Sequence, residues 1–412
     1  MSQSLHGKPD VASSLAQQTM LMTQESLMPI KKGSQSLFIG IPRETSFQEN
    51  RIALVPESVA LLVNNGHQVM IETNAGKNAN YTDTDYSEAG AQIAFSPEEV
   101  YKNAGIIMKV APPSEAELEL IQDKQTLLSI LQVAMQPRDF VAKLKAKRVT
   151  ALAYEYMRDE TEVLPVIQAM SEIVGSTSIL IAAEYLSNTT SGKGELLGGV
   201  TGVPPTEVVI IGAGTVGENA ARTALGLGAQ VKVFDNNLYK LRRIQQNLGQ
   251  KLYTSTVVPG ILRKALRTAD VAIGAMHAKE GRTPVIVTEE MVSEMRFGSV
   301  IVDVSIDQGG CFETSEVTNH THPVFRKYGV VHYCVPNIAS RVARTASHAL
   351  SNIFTPVLIN IGEEGGLDEF LWAHKTVRSG IYLYKGTVTN KFVSEYSRLP
   401  FRDLNLLMAA RI

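Results

Sequence analysis

The chain has 412 residues, 44% hydrophobic and 19% charged, with a formal net charge of −2. That length exceeds the usual size of one core, so two domains are expected. The near-neutral balance offers no basic field to attract nucleic acid or an anionic membrane. Two cysteines, Cys311 and Cys334, are too few for a disulfide framework and fit a reducing cytoplasm.

Residues 1–35 read as an N-terminal extension without the basic start and apolar core of a secretory signal. Their later part suggests a short amphipathic helix, with Leu15, Met20, Leu21 and Leu27 on its apolar side. It would be either a packing arm on a neighbouring subunit or a frayed lead-in. No run reaches the roughly 18 consecutive apolar residues of a membrane-spanning helix, so no membrane insertion is expected.

Ser36 to Ile41 is the first expected strand, followed by Pro42, Arg43, Glu44 and a polar loop to Arg51. A helix from about Glu57 to Asn65 precedes strands His67 to Glu72 and Gln92 to Phe95. Helix Pro97 to Lys102 leads into strand Ile106 to Val110, which Pro112 and Pro113 stop. Leu127 to Leu131 and Thr150 to Ala153 are further short buried strands. Pro165 to Glu184 reads as a long helix, rich in small residues, that crosses between domains. A second unit starts near Thr206 and places strands at Val271 to Gly274, Ser299 to Asp303 and His332 to Tyr333. Helix Ala343 to Asn360 carries the chain back to the first domain, and the remainder to Ile412 reads as mostly helical. The alternation predicts an α/β fold of two Rossmann-like domains with parallel sheets. Residues 36–165 plus 344–412 would form a split substrate domain and residues 166–343 a central nucleotide-type domain, with substrate in the cleft between.

The most informative segment is VVIIGAGTVGENAARTALGLGAQVKVFD, residues 208–235. A buried-strand run meets Gly212, Gly214 and Gly217 and then a helix beginning with Thr215 and Val216. In a dinucleotide site these glycines give a tight turn, backbone approach to a pyrophosphate, and close helix–sheet packing. The helix N-terminus supplies free N–H groups to the phosphates. Asp235, with Asn236 beside it, falls where a carboxylate accepts the ribose hydroxyls and repels a 2′-phosphate. NAD is therefore favoured over NADP.

Hydride transfer to a small carboxylate substrate needs a cation for the carboxylate and a donor or acid at the reacting atom. Arg51, between a polar loop and an apolar strand, is the best clamp. Lys109 sits in the apolar strand IIMKV, where a lysine is costly unless it reaches a cleft or pairs. Asp307, before Gly309 and Gly310, is placed to orient the nicotinamide or polarise the substrate, or else is a loop cap. Asn337 would contact the nicotinamide ribose or serve as a turn residue beside Pro336. His320 and His322 have no further ligand at suitable spacing, so no metal site is expected. Lys193 lacks the glycine spacing of a P-loop.

From about Phe38 to Thr389 the chain resembles the alanine dehydrogenase and nicotinamide nucleotide transhydrogenase (alpha subunit) family. The resemblance rests on IGIPRET with ENRIALVPE, AYE at Ala153 to Glu155, MSEIVG at Met170 to Gly175, LLGGVTGVPP, VVIIGAGTVG, VDVSIDQGGCFE and YCVPNIASRVARTAS. It implies a split catalytic domain, a central NAD domain, a hexamer or dimer, and reversible oxidative deamination of L-alanine to pyruvate and ammonia. By resemblance Arg51 holds the substrate carboxylate, Asp307 and Asn337 lie at the nicotinamide, Asp235 binds ribose, and Ser171 lies near the cofactor phosphates.

Two positions depart from the alanine dehydrogenase pattern. Its KVKEP lysine is Ala111 here, and the histidine of its FLHLA-like stretch is Gln132. A glutamine exchanges no proton near neutral pH, and loss of a general acid–base costs about 10²- to 10⁴-fold. The transhydrogenase branch also lacks this pair. An alanine-dehydrogenase-type enzyme, with Lys109 reaching in for the missing lysine, is thus set against three alternatives. These are a transhydrogenase-alpha-like subunit with a membrane partner, an NAD enzyme for another amino or 2-keto acid, and a catalytically reduced NAD(H)-binding regulator.

Overall fold

The computed structural model describes residues 33–278 and 282–410, so the helix expected around Leu15 to Leu27 lies outside the described residues. The first run of strands is β1 (Phe38–Ile41), β2 (Gln68–Glu72), β3 (Gln92–Ala94), β4 (Ile106–Met108), β5 (Thr126–Ser129) and β6 (Thr150–Ala153). The second is β7 (Glu207–Ile211), β8 (Gln230–Phe234), β9 (Tyr253–Ser255), β10 (Val271–Gly274), β11 (Val300–Asp303), β12 (Val324–Lys327) and β13 (Val330–Tyr333). The chain then returns to add β14 (Ile381–Tyr384) and β15 (Thr387–Val388) to the first sheet.

The first sheet has the order β15-β14-β6-β5-β4-β1-β2-β3, the second β12-β13-β11-β10-β7-β8-β9. Helices cover both faces, which is why runs such as Val208 to Ile211 are apolar without alternation. In each sheet the order reverses beside its first strand, between β1 and β4 and between β7 and β10. Ligands of such sheets bind outside the carboxyl ends at that reversal.

Five helices matter for the site: α1 (Pro56–Asn64), α2 (Glu115–Leu120), α3 (Pro165–Leu186), α4 (Thr215–Gly226) and α5 (Ala343–Glu363). Proline opens α1 and α3, where its missing N–H is harmless. Ser114 and Glu117 form a capping box on α2. By length and composition alone α3 is long and apolar enough to cross a membrane. In this fold it is a connector, contributing Val166 to the first core and Ile179, Ile181 and Ala182 to the second.

Both sheets are parallel except at their edges, and the structure corrects the expectation of a mostly helical C-terminal part. Residues 381–388 form an antiparallel hairpin on the edge of the first sheet, and β12 runs antiparallel at the edge of the second. Lys385 and Gly386 both have positive φ (49° and 78°), as a tight two-residue hairpin turn requires. The pair Lys-Gly between β-prone runs is a weaker turn signal than Asn-Gly, and the alternation it divides is short.

Candidate functional site

The glycine segment forms a cradle at the reversal of the second sheet. Gly212 has φ +114°, and a methyl group there would stand 2.3 Å from the Ala275 carbonyl oxygen. A methyl on Gly217 would stand 1.9 Å from the Gly212 carbonyl oxygen, so helix α4 closes onto the turn only without a side chain. A methyl on Gly214 would meet nothing within 4 Å, which leaves the N-terminus of α4, at Thr215 and Val216, open to an approaching group. These features suit a pyrophosphate.

Asp235 ends β8 and is buried. Its Oδ2 accepts from the Ala213 N–H at 2.8 Å and its Oδ1 from the Asn237 N–H at 2.8 Å. It therefore holds the glycine turn, with further lone-pair capacity for ribose hydroxyls. The Asn236 side chain is engaged elsewhere, accepting from the Val257 N–H at 3.0 Å. A methyl on Gly175 would lie 2.4 Å from the Val216 carbonyl oxygen and 2.8 Å from Asn219 Cβ, so α3 touches the first turn of α4. Ser171 lies one turn earlier on the same face of α3.

The other half is built on the segment after β1, which is laid along α5 by serines. The Ile52 and Val55 N–H groups donate to Ser347 and Ser351 Oγ, both at 2.9 Å, and the Asn50 N–H to Ser340 Oγ at 2.7 Å. Arg51 is thereby fixed beneath the two domains, its side chain only 11% exposed. Its Nε and Nη2 form a fork on Glu49, at 2.7 and 2.6 Å, and its Nη1 reaches Met170 Sδ on α3 at 3.4 Å. The Asn337 Nδ2 donates to Glu49 Oε2 at 3.0 Å. The pairing with Arg51 keeps the Glu49 carboxyl below its ordinary range against the opposing effect of burial.

Asp307 follows β11 in a short 3₁₀ turn, wrapped around the fully buried Asp303. Asp303 accepts from the N–H groups of Ser305 and Cys311, both at 3.0 Å, and from Ser315 Oγ at 2.7 Å. Gly309 and Gly310 (φ +94° and +78°) turn the loop tightly, and a methyl on Gly310 would stand 2.8 Å from Asp303 Oδ2. Asp307 keeps solvent access at the sheet edge, yet the surrounding protein desolvates its carboxyl and pushes it up to about 6. The Asn337 N–H and the Arg51 charge oppose that rise. Arg51, Glu49, Asn337 and Asp307 thus form one chain of contacts joining both sheets.

Lys109 is corrected. Rather than reaching into the cleft, it is fully buried, with Nζ 2.6 Å from Glu117 Oε1 and 3.3 Å from Glu44 Oε2. Glu44 in turn accepts from the Val110 N–H at 2.5 Å and the Ala111 N–H at 3.3 Å, and Glu117 from the Ser114 N–H at 2.8 Å. The ammonium is a structural clamp across the reversal between β1 and β4. Ala111 is buried and brings no cation of its own.

Gln132 is exposed, with φ 44°. The AYE segment supports both loops. The Tyr154 hydroxyl donates to the Val110 carbonyl, and Glu155 Oε1 accepts from the N–H groups of Leu131 and Gln132 at 2.8 and 3.0 Å. Burial raises the Glu155 carboxyl.

Glu49, Glu44, Glu117, Tyr154 and Glu155 were not among the residues singled out from sequence. Glu49, two residues before Arg51, and Glu44, just past β1, had the available signal: acids flanking an arginine at a sheet's carboxyl edge.

Models of the alanine dehydrogenase/PNT N-terminal domain and C-terminal domain match residues 40–174 and 178–391. The alanine dehydrogenase of Methanococcus maripaludis is 40% identical over 366 residues, covering 89% of this chain and 98% of that protein. Alanine dehydrogenase 2 of Staphylococcus aureus is 38% identical over 367 residues, with 89% and 98% covered. A solved L-alanine dehydrogenase superposes with a TM-score of 0.82 at 38% identity, covering 87% of this chain and 99% of that one. A transhydrogenase from Sinorhizobium meliloti shares the fold, with a TM-score of 0.73 at 24% identity and 86% and 99% covered. With both halves matched, this protein belongs to the alanine dehydrogenase/PNT family of oxidoreductases.

Proposed function

We propose that this protein is an NAD-dependent amino acid dehydrogenase that interconverts L-alanine with pyruvate and ammonia. The observation that carries this reading is the oriented Arg51, half-buried, forked onto Glu49 and within electrostatic reach of Asp307. NAD, when bound, supplies the nicotinamide carbon that accepts or returns a hydride. The glycine turn, the N-terminus of α4 and Asp235 would hold its phosphates and ribose, Ser171 lying close by and Asn337 at the nicotinamide end.

Arg51 has its Nε side on Glu49, so its Nη1–Nη2 edge is left for a ligand carboxylate. Asp307 is the member of this constellation whose pKa, about 6, suits proton exchange near neutral pH. It supports the proton-transfer role for which Gln132 is chemically unsuited. Neither Lys109 nor Ala111 can supply a second substrate cation, so the carboxylate rests on Arg51 alone. A small 2-oxo acid with one carboxylate fits that inventory.

The reading is tested by NADH oxidation at 340 nm with pyruvate plus ammonium, against pyruvate alone and ammonium alone. Turnover above about 1 s⁻¹ requiring both is expected, in the ordinary range of enzymes. No turnover in folded, NADH-binding protein would reject it. Weight would then move to a transhydrogenase-alpha-like subunit or an NAD(H)-binding regulator, readings that Ala111 and Gln132 favour.

A further inference from the structure

The Glu49 carboxylate is almost enclosed, its side chain 4% exposed. Oε1 accepts from the Arg51 N–H at 3.0 Å and from Arg51 Nε at 2.7 Å. Oε2 accepts from Arg51 Nη2 at 2.6 Å and from Asn337 Nδ2 at 3.0 Å. A carboxylate offers about four lone-pair sites, so these four donors saturate it. Ser340 Oγ lies 3.5 Å from Oε1, but its proton goes to the Gln48 carbonyl at 2.7 Å.

These donors come from segments that follow strands of different sheets. Arg51 belongs to the segment after β1, and Asn337 follows β13 of the second sheet. Asn337 sits at φ 57° with its side chain on Glu49 and its N–H on Asp307. A group that draws on Asn337 or Asp307 from the nucleotide side must shift Glu49, and Glu49 sets the angle of the Arg51 guanidinium. In the other direction, a carboxylate on the free edge of Arg51 pulls the guanidinium against Glu49. The α3 helix makes a second tie, because Met170, against Arg51 Nη1, lies on the helix whose Gly175 packs on the first turn of α4.

We infer that Glu49 is a positioning residue that couples the two halves of the site, so that a bound nucleotide tightens the grip of Arg51 on a small carboxylate. The inference rests on the dehydrogenase reading above and names the residue through which nucleotide and 2-oxo acid sense each other. Coupling of this kind is reciprocal: each ligand changes the affinity for the other by the same factor, commonly about 5- to 150-fold.

The test is calorimetric titration of pyruvate into the full chain with and without saturating NADH, ammonium being absent, in the wild type, Glu49→Gln and Asn337→Ala. NADH titrations followed by its fluorescence, with and without pyruvate, check the reciprocal factor. In the wild type, NADH is expected to tighten pyruvate binding at least about fivefold. In Glu49→Gln the amide sets a donor against Arg51 Nη2 or Asn337 Nδ2, and the factor should fall to within about twofold of one. Asn337→Ala keeps the Arg51–Glu49 fork but cuts the tie. Its factor, too, should fall to within about twofold of one.

Glu49→Gln protein that keeps the wild-type factor overturns the coupling while leaving the dehydrogenase reading intact. Pyruvate that fails to bind wild type even at saturating NADH overturns both. Should Glu49→Gln not fold, as judged by circular dichroism, Asn337→Ala carries the test, and an unchanged factor there overturns the inference.

Discussion

Replacing Lys109 by methionine removes the cation of the buried Glu44–Lys109–Glu117 cluster and keeps most of the side-chain volume. At an effective dielectric of about 20, the 2.6 and 3.3 Å contacts correspond to gross attractions of about 6 and 5 kcal/mol, much of it offset by desolvation. The variant is left with two facing carboxylates, and its cheapest relief is to protonate one. For a carboxyl with an ordinary pKa of about 4.3, that costs about 3.7 kcal/mol at pH 7 and about 1 kcal/mol at pH 5.

The folded Glu117 carboxyl lies below its ordinary value because of Lys109. Its stabilising contribution in the wild type is therefore present above the unfolded pKa and is lost only as pH falls through the folded one. Lys109→Met should thus be destabilised by about 4 kcal/mol near pH 7 and by about 1 kcal/mol at pH 5. Adding Glu117→Gln should recover most of the loss at pH 7. Urea unfolding followed by Trp372 fluorescence reads this directly, since this single tryptophan lies in a helix packed on the first core. A loss under about 1 kcal/mol, or one equal at both pH values, would refute the electrostatic reasoning. Intact stability with abolished NADH oxidation would return Lys109 to the chemistry.

Three further outcomes are expected. The Asp307 pKa, raised to about 6, means that folding favours its protonated form: the stabilising contribution is present below the unfolded value and lost as pH rises through 6. Asp307→Asn should therefore gain stability over wild type above pH 6 and none near pH 4, by about 1 kcal/mol after allowing for solvent screening. Melting temperatures at the two pH values check it. Gly175→Ala should force α3 away from the Val216 carbonyl, costing about 1–3 kcal/mol and weakening NADH binding in a fluorescence titration. Gln132→His should raise reductive amination by about 10²-fold or more if an absent acid–base limits turnover. Steady-state rates against pH would then show a new titration near neutrality.

Much of this architecture is legible because the physics is local. The glycine triplet before an Ala-rich helix needs no tertiary knowledge, and the steric demands at Gly212 and Gly217 follow directly from it. Arg51 was legible as a cation between a polar loop and an apolar run, although that run, Ile52 to Val55, is not a strand; its anchor Glu49 carried only the weak signal of an acid two residues before an arginine. Lys109 shows the limit. An apolar strand announces that its lysine must either pair or emerge, and only the tertiary arrangement brings Glu44 and Glu117 from separate elements to pair it. The hairpin at residues 381–388 was missed because its partner, β6, lies far upstream, with every strand of the second sheet in between.

That pairing has a kinetic side. Strand β6, Thr150–Ala153, is buried along its whole length, and its outer edge is covered only when β14 arrives from the end of the chain. During synthesis every strand of the nucleotide sheet emerges in between, so the second domain can complete its pairing while the first still presents an apolar, unpaired edge. Closing the first sheet is a long-range event of the slow kind that follows from chain topology. A ribosome-stalled or C-terminally truncated chain ending before Ile381 would therefore combine a finished nucleotide cradle with a sticky strand edge, a species suited to recognition by chaperones.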